Sequence, residues 1–206
     1  MKQIFQNFLQ QHYPSAQLSD RLSMGGKIHL RFELGLGHSN GTKERVEQAT
    51  ERAKILFEET FSDKTQKLWM LAYEYTSEVE MYKENNPYFH TLLFPSDSGN
   101  IVQFEESYED EGEQNSVRII LGHLSQMEFD VENILRGIAN FDMGFVPRIT
   151  QCVYFFCPKT LNMFYMYDDR GCLVWSDEAE KLRPMFEKYD AWIVEYHRAT
   201  IEKQFQ

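Results

Sequence analysis

The run Met163-Phe164-Tyr165-Met166-Tyr167-Asp168-Asp169-Arg170-Gly171-Cys172-Leu173-Val174-Trp175 sets two apolar, strand-forming stretches on either side of a charged tip ending in glycine. Such a pattern reads as a hairpin. Asp168-Asp169-Arg170-Gly171 suits a type I turn closed by Gly171 at positive φ, where glycine carries no steric cost and the aspartates accept from nearby amides. Working outward, Gln151 to Cys157 and Asn162 to Asp168 are joined by Pro158-Lys159-Thr160-Leu161. Sequential strands pair as antiparallel neighbours, so this part of the chain reads as a three-stranded meander.

The flanking periods fill in the rest. Ile4, Phe5, Phe8 and Leu9 form one face of a short helix that Pro14 ends. Ile28 to Leu34 alternates strictly, with Arg31 and Glu33 on the face opposite Leu30 and Phe32, and Gly35 and Gly37 close it. Thr42 caps a helix whose Val46, Ala49, Ala53 and Leu56 repeat at helical spacing. Leu68 to Tyr75 is apolar on both faces, as a central strand covered on both sides would be. Glu105, Glu106, Glu109, Asp110, Glu111 and Glu113 crowd a segment read as a solvated loop. Val117 to Leu124 returns to strand character, Asp130 caps a helix that Gly144 ends, and Ser176 and Asp177 cap a short helical turn. Pro184 places a break near Arg183, and Phe186, Tyr189, Ile193 and Tyr196 mark a long C-terminal helix. No repeat or linker interrupts residues 1–206. The fold class is α+β in one domain, a mainly antiparallel sheet with helices packed on it.

Composition bounds the function. With 42% hydrophobic and 15% aromatic residues the chain is not disordered. Acidic residues outnumber basic ones 32 to 21, a net charge of −11, which repels phosphate backbones and favours a basic partner protein over nucleic acid. Glutamines interrupt the apolar residues after Lys2, so neither a signal peptide nor a membrane span is expected, and a cytoplasmic location follows. Cys152, Cys157 and Cys172 lack Cys-x-x-Cys spacing and read as buried thiols. The histidines lack zinc spacing, and no cofactor or metal is expected.

Tyr167-Asp168-Asp169-Arg170-Gly171-Cys172, followed by Leu182-Arg183-Pro184-Met185-Phe186-Glu187-Lys188-Tyr189-Asp190-Ala191-Trp192-Ile193, resembles the bacterial DUF3885 family of domains of unknown function. The signature lies at about 162–198, and Arg31-Phe32-Glu33-Leu34-Gly35 is similar to sequences that accompany the domain. Val174-Trp175-Ser176 departs from the small apolar stretch the family would place there. The resemblance implies membership and carries no activity.

Two functions from different classes are compatible with these residues. The chain lacks a catalytic signature, and its acidity suits an interaction protein of the immunity or antitoxin type, with the run from Glu105 to Glu113 as its partner-binding surface. The alternative is a small hydrolase or ligand-binding enzyme built on Asp168, Asp169, Arg170, Arg31 and Glu33. Gly35-Leu36-Gly37-His38 precedes a helix as a phosphate loop does, but lacks the third glycine and the lysine such loops need. Adjacent Asp168 and Asp169 diverge in a turn, and Arg170 neutralises their field, which favours turn formation over a metal site.

Overall fold

The computed structural model describes residues 1–14, 16, 18, 28–75, 87–110 and 113–206. Seven strands, β1 (Ile28–Glu33), β2 (Lys67–Tyr75), β3 (Ile101–Asp110), β4 (Glu113–Ser125), β5 (Cys152–Phe156), β6 (Met163–Asp168) and β7 (Gly171–Ser176), form one sheet in the order β1-β7-β6-β5-β2-β4-β3. Every pairing is antiparallel. The described helices are α1 (Lys2–His12), α2 (Lys43–Thr60), α3 (Tyr88–Thr91), α4 (Val131–Met143), α5 (Ala179–Lys188) and α6 (Arg198–Glu202).

The two-sided apolarity of β2 has its expected cause. Leu68, Met70 and Ala72 enter a core beneath α2 and α4, whereas Trp69, Leu71, Tyr73 and Tyr75 enter a second, aromatic core that α1 helps to cover. On the first side Phe57 stands edge-on to Phe155 and Phe164, with centroids 5.0 and 5.5 Å away. On the second, Phe5 packs against Trp69 and Phe156 at 5.1 and 5.7 Å. Edge-on aromatic pairs add roughly 0.5–1.5 kcal/mol to area burial. The Thr42 and Asp130 side chains accept from the amides of Arg45 and Asn133, and Gly144 leaves α4 at φ 73°.

Three local expectations need correction. Glu105 to Asp110 and Glu113 are not loop but strand residues of the β3–β4 pair, where Glu106 pairs with Val117 and Asp110 with Glu113 in register, and Glu111 lies outside the described residues. Val102, Phe104 and Tyr108 at alternate positions rest on the aromatic core, and that apolar period holds the acidic residues extended. At the other end of the molecule a C-terminal helix is present, but the stripe from Phe186 to Tyr196 is not one helix. α5 passes through Pro184, exposed on its outer face, because Leu182 and Met185 are buried on either side of it; the helix then stops at Lys188 and gives way to short 3-10 turns. Ser176 does not cap it, since its hydroxyl bonds Asn162 Oδ1 at 2.8 Å while Asp177 pairs with Lys181 at 2.7 Å.

The segment after α5 instead folds back along the outer edge of β1. The Val194 amide donates to the Arg31 carbonyl at 3.0 Å, and Ile193 bridges to Phe32. Beyond α6, the Gln204 side chain both accepts from the His29 amide, at 2.9 Å, and donates to its carbonyl, at 3.3 Å.

Candidate functional site

The hairpin tip forms where β6 meets β7. Asp168 stands opposite Gly171, and a register shift between Met166 and Asp168 leaves Tyr167 as the extra residue of a bulge. Gly171 does not have positive φ. Among the described glycines that conformation belongs to Gly37, Gly41 and Gly144. Glycine is needed at 171 for proximity, since a Cβ there would lie 2.1 Å from Tyr167 Oη and 2.5 Å from the Phe32 carbonyl oxygen. The neighbouring strand, not the turn, selects the residue.

Each charged group at the tip has an internal partner. Asp168 accepts from the Arg170 amide at 2.7 Å and from Arg170 Nε at 2.8 Å, the turn-capping role expected of it, and this carboxylate raises the guanidinium pKa further. Asp169 points the other way. Its side chain is 1% exposed, and Oδ2 pairs with Arg45 Nε from the first turn of α2. Arg45 Nη1 also donates to the carbonyls of Gly35 and His38, both at 2.9 Å, and Gln48 donates to those of Leu34 and Leu36. The glycine loop therefore turns carbonyls, not amides, toward α2, the reverse of a phosphate cradle. A Cβ at Gly35 would lie 2.8 Å from Arg45 Cζ, so this glycine too serves close approach. Asp169 Oδ1 is buried without a hydrogen-bond partner.

Arg31 and Glu33 do not join this cluster. From the opposite face of β1, Arg31 Nε donates to Tyr167 Oη at 3.1 Å, with the guanidinium 5.2 Å from the centre of that ring. Its Nη1 lies 3.3 Å from His197 Nδ1, and burial together with the positive charges of Arg31 and His29 lowers the His197 pKa. A neutral imidazole that accepts from Arg31 is the consistent arrangement. The Glu33 backbone carbonyl receives Arg52 Nη1 at 3.2 Å, and Arg52 stacks 4.9 Å above Trp192. Among the described residues neither Arg31 nor Glu33 makes an ion pair with the tip, and no group of three or more His, Cys, Asp or Glu side chains could hold a metal ion.

A cleft of about 310 Å³ lies beside the tip, lined in part by Asp142, Gln151, Tyr165, Tyr167, Asp168 and Arg170. Asp142 Oδ2 is 3.8 Å from Arg170 Nη2. Partial burial first, and the negative charge of Asp168 second, raise the Asp142 pKa. Asp142, Arg45, Tyr167 and His197 are functional candidates that sequence reasoning missed. Their contacts join residues far apart in the chain, Arg31 with Tyr167 and His197, Arg45 with Asp169 and Asp142 with Arg170, and carry no local signal.

The acidic candidates divide by strand period. Glu105 and Glu109 are exposed on one face of β3, whereas Glu106 faces the aromatic core side and pairs with Lys2 at 2.6 Å. Lys2 also sits 4.3 Å above the Phe104 ring. The side chains of Asp110, Glu111 and Glu113 lie outside the described residues. Among the described residues no helix is long and apolar enough to cross a membrane.

Comparison with known proteins yields one family and an uncharacterised relative. The chain is similar to "Uncharacterized protein YnaE" of Bacillus subtilis (strain 168), 47% identical over 72 residues that make up 32% of this chain and 34% of that protein. The matched part thus spans about a third of the relative's length. No solved structure matches. A family model described as "Domain of unknown function (DUF3885)" matches residues 5–197, a stretch that runs from α1 through every strand of the sheet to His197 beside Arg31. On that coverage the chain belongs to the DUF3885 family.

Proposed function

We propose that this protein is an acidic interaction protein of the immunity or antitoxin type, which binds a basic partner protein. The observation that carries the reading is where the charges are used. Asp168, Asp169 and Arg31 are each engaged inside the fold, so they are poorly placed to act on a substrate. Glu105 and Glu109 stand exposed on an outer strand, and among the described residues neither makes an ion pair. With a net charge of −11, the long-range field attracts a cationic partner from any approach.

The test is capture from a native lysate by the wild-type chain and by the double variant Glu105→Lys/Glu109→Lys, followed by kinetics with the purified captured protein. A basic protein should be held by the wild type and lost by the variant. Its on-rate should fall as salt shortens the Debye length from about 30 Å to about 8 Å. Recovery of no basic protein, or an on-rate indifferent to both salt and substitution, overturns the reading.

The cleft beside Asp142 favours a second reading, a small-ligand or hydrolytic site, because it is concave and carries a carboxyl of raised pKa beside an exposed guanidinium. A ligand-induced rise in melting temperature that Asp142→Asn removes would favour it over the interaction reading.

A further inference from the structure

The sheet ends in two outer strands. The edge of β1 is occupied by Val194, Ile193 and the Gln204 amide. The edge of β3 is not: β4 takes one side of it, and among the described residues no backbone group bonds to the other. Across its 10 residues β3 therefore presents, among the described residues, a row of amides and carbonyls without backbone partners, the template on which a further strand grows.

We propose that β3 receives an extended segment of the basic partner by strand addition, and that basic and apolar side chains alternate along that segment. The proposal rests on the interaction reading above and specifies its geometry. Side chains of an added strand fall on the same two faces as those of β3, with cross-strand Cβ atoms about 5 Å apart. On one face they meet Glu105 and Glu109, both exposed, which calls for lysine or arginine. On the other they meet Phe104 and Tyr108, half-buried rings on the rim of the aromatic core, which call for apolar groups. Tyr108 is held there by edge-on contact with Tyr75 at 5.9 Å. A second copy of this chain fits poorly, since antiparallel β3 edges would set carboxylates against carboxylates.

The experiment uses a synthetic peptide as long as β3 in which lysine and valine alternate, and two isomers of it, one N-methylated at every lysine amide and the other at every valine amide. Successive amides of a strand point to opposite edges, so only one set can bond β3, although all three peptides carry the same charge. The parent and one isomer should bind at low salt and protect the β3 amides from hydrogen exchange. The other isomer should bind at least about tenfold more weakly. Equal binding by both isomers overturns strand addition and leaves the basic-partner reading standing, since charge alone then suffices. Failure of all three peptides to bind overturns both. Binding unaffected by Glu105→Lys/Glu109→Lys places the peptide elsewhere and overturns the strand-addition proposal.

Discussion

The two outer strands of one sheet, β1 and β3, solve the same problem in different ways. Any outer strand exposes backbone groups that invite pairing with another chain. At β1 the chain itself supplies the cover: residues 193 and 194 run beside it, and a single glutamine side chain satisfies both the amide and the carbonyl of His29. Next to β1, the hairpin tip is tied to α2 by the buried Asp169–Arg45 pair. At β3, among the described residues, no backbone group covers the outer edge, and the exposed carboxylates of Glu105 and Glu109 stand along it. A covered edge belongs to folding. An edge guarded only by charge rejects acidic and uncharged chains but admits a basic one, which is how a surface can be both safe from self-association and specific.

The contrast can be broken most sharply at Arg45. Its replacement by alanine leaves the Asp169 carboxylate buried without its cation, so denaturant unfolding should show a loss of about 3–5 kcal/mol. Replacing both partners together with apolar residues should cost less than the single change. A loss below about 1 kcal/mol for Arg45→Ala would mean that the tip is not anchored through this pair.

Gly171→Ala comes next. The new methyl overlaps Tyr167 Oη and the Phe32 carbonyl, and the loss should be about 2–3 kcal/mol. Tyr167→Phe in the same chain should recover only part of it, because the Phe32 backbone stays where it is. Full recovery would show that the strand next door does not select the glycine.

On the β3 side, the corresponding anchor is Glu128. Its carboxylate accepts from the Ser96 hydroxyl and amide at 2.5 and 2.6 Å and from the Ser125 amide at 2.8 Å, tying the loop before β3 to the end of β4. These bonds pull its pKa down to about 2. A carboxyl lowered on folding contributes stability that is present above its unfolded pKa, about 4.3, and that is lost as pH falls from there toward 2. Glu128→Gln should cost about 1–2 kcal/mol at neutral pH and flatten the acid limb of the stability profile over that window. An unchanged acid limb would mean that other carboxyls govern it.

The smallest effects compare the two edges directly. Gln204→Ala removes its hydrogen bonds to the His29 amide and carbonyl and should cost about 1 kcal/mol, with association appearing at high concentration in sedimentation runs. Glu105→Lys/Glu109→Lys should leave stability within about 0.5 kcal/mol and change partner binding alone. A larger fall in stability for the glutamate variant than for Gln204→Ala would reverse the roles assigned to the two edges.

Much of the fold was legible because its signals are local. The alternation of Ile28 to Leu34, the doubly apolar β2, the caps at Thr42 and Asp130, the stop at Gly144 and the 151–175 meander all follow from periods of two or 3.6 and from residues with one strong conformational preference. Legibility failed where a long-range partner outweighed the local rule. Charge density made Glu105 to Glu113 read as a loop, yet the partial burial of Val102, Phe104 and Tyr108 keeps residues 101–110 in the sheet. A helical stripe led past Lys188, yet pairing with β1 draws the chain away from helix. For the candidate site, the turn at Asp168 was legible, since that carboxylate bonds two residues ahead. The opposite destinations of Asp169 and Arg31 were not.

The amino-acid sequence by itself determined the net negative charge, through composition, and most of the strands and helices together with the antiparallel meander, because those elements rest on neighbours a few residues apart. The tertiary structure alone decided that Arg45 meets Asp169 across 124 positions and Gln204 meets His29 across 175, and hence which edge of the sheet is closed. Those contacts arise from the closing of large loops, whose entropy is offset only once the whole core is buried, so no short window of sequence contains them.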